Sequence, residues 1–231
     1  MLTLTATKIN SGVSSAKANR LYWLGRYAER VYLTLHMLRK HFDLMIDEDQ
    51  DAYISFCSEM GIENKYRSAD DFTKRYLFDT SNPESVINML ERVKDNAMML
   101  REEIMTETLC YIELCIAHMN KPEVQNRGIE GLQRITDYIL AFWGSIDERI
   151  VDNQIRHSIK FGKYLESLDL HIRFDYPFNR VNGIFNRMLD SIEKECYICD
   201  EMTLLTLKQH FNVDDYKNIG VLQLINSLFR A

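Results

Sequence analysis

The sequence predicts an all-α fold, a multi-helix bundle of about four to five long helices plus shorter ones. Three observations carry this. Apolar residues recur at steps of three and four over long stretches, the spacing of a helix that buries one face. Nine Gly and three Pro in 231 residues are few for an all-β or loop-rich chain. No segment alternates strongly enough to read as a strand. With 46% hydrophobic residues the chain can bury a sizeable core, and residues 1–231 are read as one helical domain.

The elements follow in order. Helix one begins near Ser15 or Ala16 and runs to about Asp43 or Asp47, where an acidic stretch breaks it. Its core stripe is Leu24, Ala28, Val31, Leu35 and Leu38. A short helix over Ala52 to Met60 stops at Gly61, and Ser68 caps another over Ala69 to Phe78. Asn82 as N-cap and Pro83 in the first turn start a long helix to about Met119. Its stripe includes position 107, which is Glu. After Lys121-Pro122 a helix covers roughly Glu123 to Ile146, weakened at its start by Gly128 and Gly131. Asp152 caps a helix from Asn153 to about Phe174. One more runs from about Asn179 to Phe211, and Asp214 or Asp215 starts the last, through Leu228.

The second face of helix one is unusual. Tyr22, Trp23, Arg26, Glu29, Arg30, Leu33 and Met37 mix large apolar side chains with three charges. A helix apolar all round is central in its domain, so these charges are expected to be buried, where they need partners. Arg26 and Glu29 can pair, whereas Arg26 and Arg30 repel, so a further anion is wanted. Leu24-Gly25-Arg26-Tyr27-Ala28-Glu29-Arg30 is echoed weakly by Phe161-Gly162-Lys163-Tyr164-Leu165-Glu166-Ser167, in the same helical register. This internal duplication of the first long helix in the helix after Asp152 would place Lys163 and Glu166 as counterparts of Arg26 and Glu29. The second copy has Ser167 in place of Arg30.

The same residues carry a resemblance. Leu21 to Tyr27 followed by Glu29-Arg30 resembles the N-terminal signature of the alpha-E family, an all-helical domain with a Glu-Arg motif. Asn82-Pro83-Glu84-Ser85-Val86 resembles its Asn-Pro-x-Ser helix start. Arg92, Asn96-Ala97 and Arg101-Glu102-x-Ile104-x-x-Glu107 resemble its central helix, and Phe161 to Glu166 its second element. The resemblance is strongest over 16–174. The sequence departs from the family pattern at Leu109, where the family has Trp, near Glu113, where it has Asn, and at Lys163 and Ser167, where it has Arg. The resemblance implies a component of a bacterial peptide-synthesis or peptide-modification system. Its implied partners are an ATP-grasp ligase-like protein and a transglutaminase-like protein.

Candidate site residues follow from the charged set. Glu29 and Glu107 are candidate general bases, because desolvation raises a buried carboxyl toward neutrality. Arg26, Arg30, Asn96, Arg101, Glu102, Lys163, Glu166 and Asp169 are candidate ligand-binding residues for a peptide or carboxylate, with guanidinium forks suited to such a group. Three readings stand: a binding or scaffold module, an enzyme of acyl or amide chemistry, and a structural bundle with a buried ion-pair network. No cofactor is expected: no Gly-rich phosphate loop is present, no Glu is followed at the third position by His, and Cys196-x-x-Cys199 lacks the second pair a zinc site needs and reads as small buried hydrophobes. A net charge of −6 argues against nucleic acid, and no run of apolar residues is long enough for a membrane span. The Met1 to Ser15 segment lacks the apolar core of a secretory signal, and five Cys suit a reducing, cytoplasmic setting.

Overall fold

The computed structural model describes residues 13–193, 199–213, 215–217 and 219–229. The opening Thr/Ser-rich stretch through Gly12, Cys196 and Asp214 lie outside the described residues. Among the described residues every regular element is helical, and a lone β-bridge joins Cys199 to Phe229.

Helix α1 (Ser15–Asp47) starts where the Ser14 side chain accepts from the Lys17 N–H. Helix α2 (Ala52–Met60) ends on Gly61 at φ 69°, the left-handed cap that glycine adopts without steric cost. Helix α3 (Ala69–Phe78) is capped by Ser68. These three match the sequence expectation.

The next stretch does not. Helix α4 spans Val86–Met99, with Ser85 rather than Asn82 as its cap. Asn82 is committed elsewhere, its Oδ1 accepting from Lys65 and from the Glu84 N–H while its Nδ2 donates to the Tyr66 hydroxyl. The expected single helix to Met119 is broken into α4, α5 (Arg101–Ile104) and α6 (Thr106–Met119). Met105, at φ 68° and ψ 150°, cannot continue a helix. The expected helix from Glu123 to Ile146 is likewise divided. Pro122 opens α7 (Pro122–Arg127), Gly128 at φ 58° starts a 3-10 turn (Gly128–Leu132), and α8 (Gln133–Arg149) follows.

Helix α9 (Asn153–Arg173) is capped by Asp152, which accepts from the N–H groups of Gln154 and Ile155. The sixth expected helix is two, α10 (Phe178–Glu193) and α11 (Glu201–Asn212), because Asp200 accepts from the Thr203 N–H and caps a new start. The last is α12 (Ile219–Ser227).

Helices α1 and α9 pack on each other at the centre, with α4 against α1 and α10 against α9. Apolar burial forms two clusters. The larger gathers α1 to α8 with Ile155, Ile159 and Leu170 of α9. The smaller joins Tyr22 and the Phe161, Leu165, Leu168, Ile172 stripe to α10, α11 and α12. Each fully buried Leu, Ile or Phe contributes on the order of 2 kcal/mol, so α9, which serves both clusters, ties them together. No helix of the described residues is long and apolar enough to cross a membrane.

Candidate functional site

The site is built on a backbone crossing. A Cβ at Gly25 would lie 2.0 Å from the Ile159 carbonyl oxygen and 2.9 Å from the Lys163 nitrogen. A Cβ at Gly162 would lie 2.1 Å from the Tyr22 carbonyl oxygen and 3.1 Å from the Arg26 nitrogen. Only glycine permits this approach. The contacts are reciprocal: one shift in numbering carries Tyr22, Gly25, Arg26 and Glu29 onto Ile159, Gly162, Lys163 and Glu166. The sequence echo is therefore matched in the geometry.

The charges pair across the crossing. Arg26 places Nε and Nη2 each 2.6 Å from Glu166 Oε2, and Lys163 Nζ stands 4.0 Å from Glu29 Oε2. Both carboxylates are buried, Glu29 at 5% and Glu166 at 2% exposure. Their surroundings differ at one position. Arg30 adds Nη1 at 2.9 Å to Glu166 Oε1, so both oxygens of Glu166 are bound. Ser167 stands at the equivalent place beside Glu29 and faces His171 instead. Glu29 Oε2 accepts no hydrogen bond.

Electrostatics follow from that difference. Burial raises the Glu29 carboxyl to about 7; Lys163 opposes the rise and Glu166 adds to it. Burial also lowers Lys163, against the pull of Glu29, and its ammonium sits 4.0 Å from the centre of the Trp143 ring. Burial works against the Arg26 charge, but Glu166 and Tyr22 more than offset it, so the guanidinium is held above its usual value.

A wider network fixes the first half. Arg26 Nη1 donates to the Tyr22 hydroxyl and to Asn226 Oδ1, each at 3.0 Å. Asn226 Nδ2 donates to Asp169 Oδ1 at 3.0 Å, and Arg173 Nε donates to Asp169 Oδ2 at 2.7 Å. Phe229 stacks on Tyr22 with ring centres 3.8 Å apart.

Two cavities flank the crossing. The first, about 340 Å³, lies between α1, α4, α9 and α12, and is walled by Trp23, Tyr27, Arg26, Arg30, Glu84, Arg92, Glu166 and Asn226. The Arg92 guanidinium lies 5.7 Å from the Tyr27 ring centre. The second, about 330 Å³, lies between α1, α9 and α10 and is walled in part by Glu29, Ser167, His171, Asn179, Arg180 and Arg187. Burial lowers His171 to about 4.

Of the sequence candidates, Arg26, Glu29, Arg30, Lys163, Glu166 and Asp169 converge. Asn96, Arg101, Glu102 and Glu107 do not. Asn96 donates to the Arg92 carbonyl of its own helix, and Arg101, Glu102 and Glu107 are exposed. The expectation of a buried Glu107 is thereby corrected. The break at Met105 resets the helical phase, so Thr108, Leu109, Ile112 and Cys115 face the core and Glu107 faces solvent. Sequence reasoning assigned no role to Arg92, Asn226, Arg180 or Arg187. Arg92 stands in the stretch that carries the family resemblance, a usable signal, whereas no local pattern marks Asn226. Among the described residues no three His, Cys, Asp or Glu side chains converge as a metal set.

Neither a curated protein nor a solved structure matches the chain. A family model does match, over residues 13–176, from before α1 to beyond α9; it is described as alpha-E, a predicted alpha-helical domain with a conserved ER motif. That stretch holds Glu29-Arg30, both glycines of the crossing and the first cavity's Arg92. The chain belongs to the alpha-E family.

Proposed function

We propose that this protein is a binding module of a bacterial, cytoplasmic peptide-synthesis or peptide-modification system, presenting a peptide or carrier to an ATP-grasp ligase-like partner. The carrying observation is the first cavity. Arg26, Arg30 and Arg92 outnumber Glu84 and Glu166 on its walls, and Trp23 and Tyr27 flank them. Glu166 has both oxygens bound and Arg26 is bonded on three sides, so the buried carboxylate of this cavity is already committed to guanidinium partners. Surplus positive charge, with the buried Glu166 already bound, suits recognition of a carboxylate better than its turnover.

Trialanine, with its free terminal carboxylate, is the probe. Calorimetric titration should give saturable binding, with trialanine amide at least tenfold weaker, a difference of ~1.4 kcal/mol. Arg92→Ala should weaken trialanine about tenfold and leave the melting temperature nearly unchanged, since Arg92 is exposed. Equal binding of acid and amide would overturn the reading.

A catalytic reading is favoured by one observation, a Glu29 carboxyl near 7 on the wall of the second cavity. Reconstitution with the ligase-like partner tests it: turnover unchanged by Glu29→Gln, with complex formation intact, rules out a base at Glu29.

A further inference from the structure

The two halves of the α1/α9 crossing differ by one guanidinium. In the first half a carboxylate, Glu166, is shared by Arg26 and Arg30. In the second half Glu29 has Lys163 at 4.0 Å, and the position of the second cation is held by Ser167. The space that Arg30 fills beside Glu166 is not filled beside Glu29. Ser167 and Glu29 both border the open volume of about 330 Å³. A buried carboxylate oxygen without a hydrogen bond is costly, by the desolvation it suffers uncompensated. Across the same cavity Arg180 and Arg187 of α10 are exposed at the mouth, and neither forms an ion pair among the described residues. A free cation alone would meet these two arginines unfavourably; one that carries its own carboxylate would not.

We propose that the cavity between α1, α9 and α10 binds a guanidinium-bearing carboxylate, the chemistry of free arginine or of an arginine at a peptide end. The ligand's guanidinium stands where the second copy lacks its arginine and donates to Glu29. Its carboxylate meets Arg180 and Arg187. Lys163 does not exclude the cation, just as Arg26 does not exclude Arg30 from Glu166. The two cavities share no wall residue, so this site stands or falls separately from the first.

The probe is γ-guanidinobutanoate, titrated calorimetrically into the full chain. Saturable binding is expected, at least tenfold weaker for the neutral isostere γ-ureidobutanoate and for butylguanidine, which lacks the carboxylate. Glu29→Gln should abolish it. Ser167→Arg, which supplies the guanidinium from the chain itself, should abolish it too while holding or raising the melting temperature. Arg187→Ala, an exposed substitution, should weaken the acid about tenfold and leave butylguanidine unaffected, and it decides the matter if the buried variants fail to fold. Affinity should also rise with pH up to about 7 and then level off, because the bound cation requires the Glu29 carboxylate. The charged and titratable groups around Glu29 are Tyr32 of α1, Lys163, Tyr164, Glu166 and His171 of α9, and Arg180 and Arg187 of α10. No saturable binding, or binding equal for the three probes or unmoved by Ser167→Arg and Arg187→Ala, would overturn the proposal.

Discussion

Glu29 and Glu166 are the same residue type, at equivalent positions of two crossing helices, and nearly equally buried. What separates them is the company each keeps. Two guanidiniums hold Glu166, whereas Glu29 has an ammonium at 4.0 Å. The Glu29 carboxyl rises from 4.5 to about 7, so the folded state holds a proton that the unfolded state releases. Its contribution to stability is full below 4.5 and is lost as pH rises through 7. His171, on the same cavity wall, is lowered from 6.5 to about 4. Its contribution has the opposite sign: it is present above 6.5 and lost as pH falls through 4. The two windows overlap, so each masks the other in the intact protein. Urea titrations between pH 4 and pH 8 should separate them. Relative to the parent, Glu29→Gln should gain stability toward pH 8, and His171→Asn should gain it toward pH 4. Parallel profiles for parent and variants would contradict the assignment. At this scale the buried charges were legible from a helix apolar on both faces, because such a face leaves no solvent for Arg26 and Glu29. Their partners were only half legible: Glu166 follows from the echo, but Asn226 is brought in by tertiary folding alone.

The elements are positioned by two kinds of backbone exception. The first is the glycine crossing. Gly25→Ala or Gly162→Ala would drive a methyl into the facing carbonyl, so the helices must separate. A loss of about 3 kcal/mol or more is expected in equilibrium urea denaturation, whereas Gly183→Ala, with open space around it, should be neutral or stabilising. The second exception is Met105, in a region of φ and ψ populated almost only by glycine. Met105→Gly should stabilise the protein by about 1 kcal/mol, the relieved strain exceeding the added entropy of the unfolded chain. Two side-chain caps were readable, Ser68 and Asp152, each starting a helix where the sequence places it, whereas the caps at Ser85 and Asp200 were not. The break at Met105 was not, because nothing in a Met residue announces a positive φ. The misreading of Glu107 followed directly from that one hidden break.

The whole molecule depends on helices beyond the family match. Val181, Phe185, Met188, Leu207, Phe211, Val221, Ile225 and Leu228 cover Tyr22, Phe161, Leu165 and Leu168. Without that cover Tyr22, Phe161, Leu165 and Leu168 would meet water, at roughly 2 kcal/mol each against the ~5–15 kcal/mol by which a domain is stable. A chain ended at residue 176 should therefore lose its cooperative unfolding transition and bind an apolar dye strongly, as measured by calorimetry and fluorescence. A sharp transition within a few degrees of the parent would show that α10 to α12 are dispensable. The all-helical class was legible because period and composition agree along the chain. The division of α9 between two apolar clusters was not, because periodicity reports that a face is buried but not against what.

The close approach of α1 and α9 at Gly25 and Gly162 has a mechanical consequence. Backbones that touch cannot slide or roll past one another without collision, so α1 and α9 move as a single rod with two faces. One cavity lies against each face, and both ion pairs bridge the same seam. Any load that shifts this rod toward α10 narrows the second chamber and draws the rod away from α4, which walls the first.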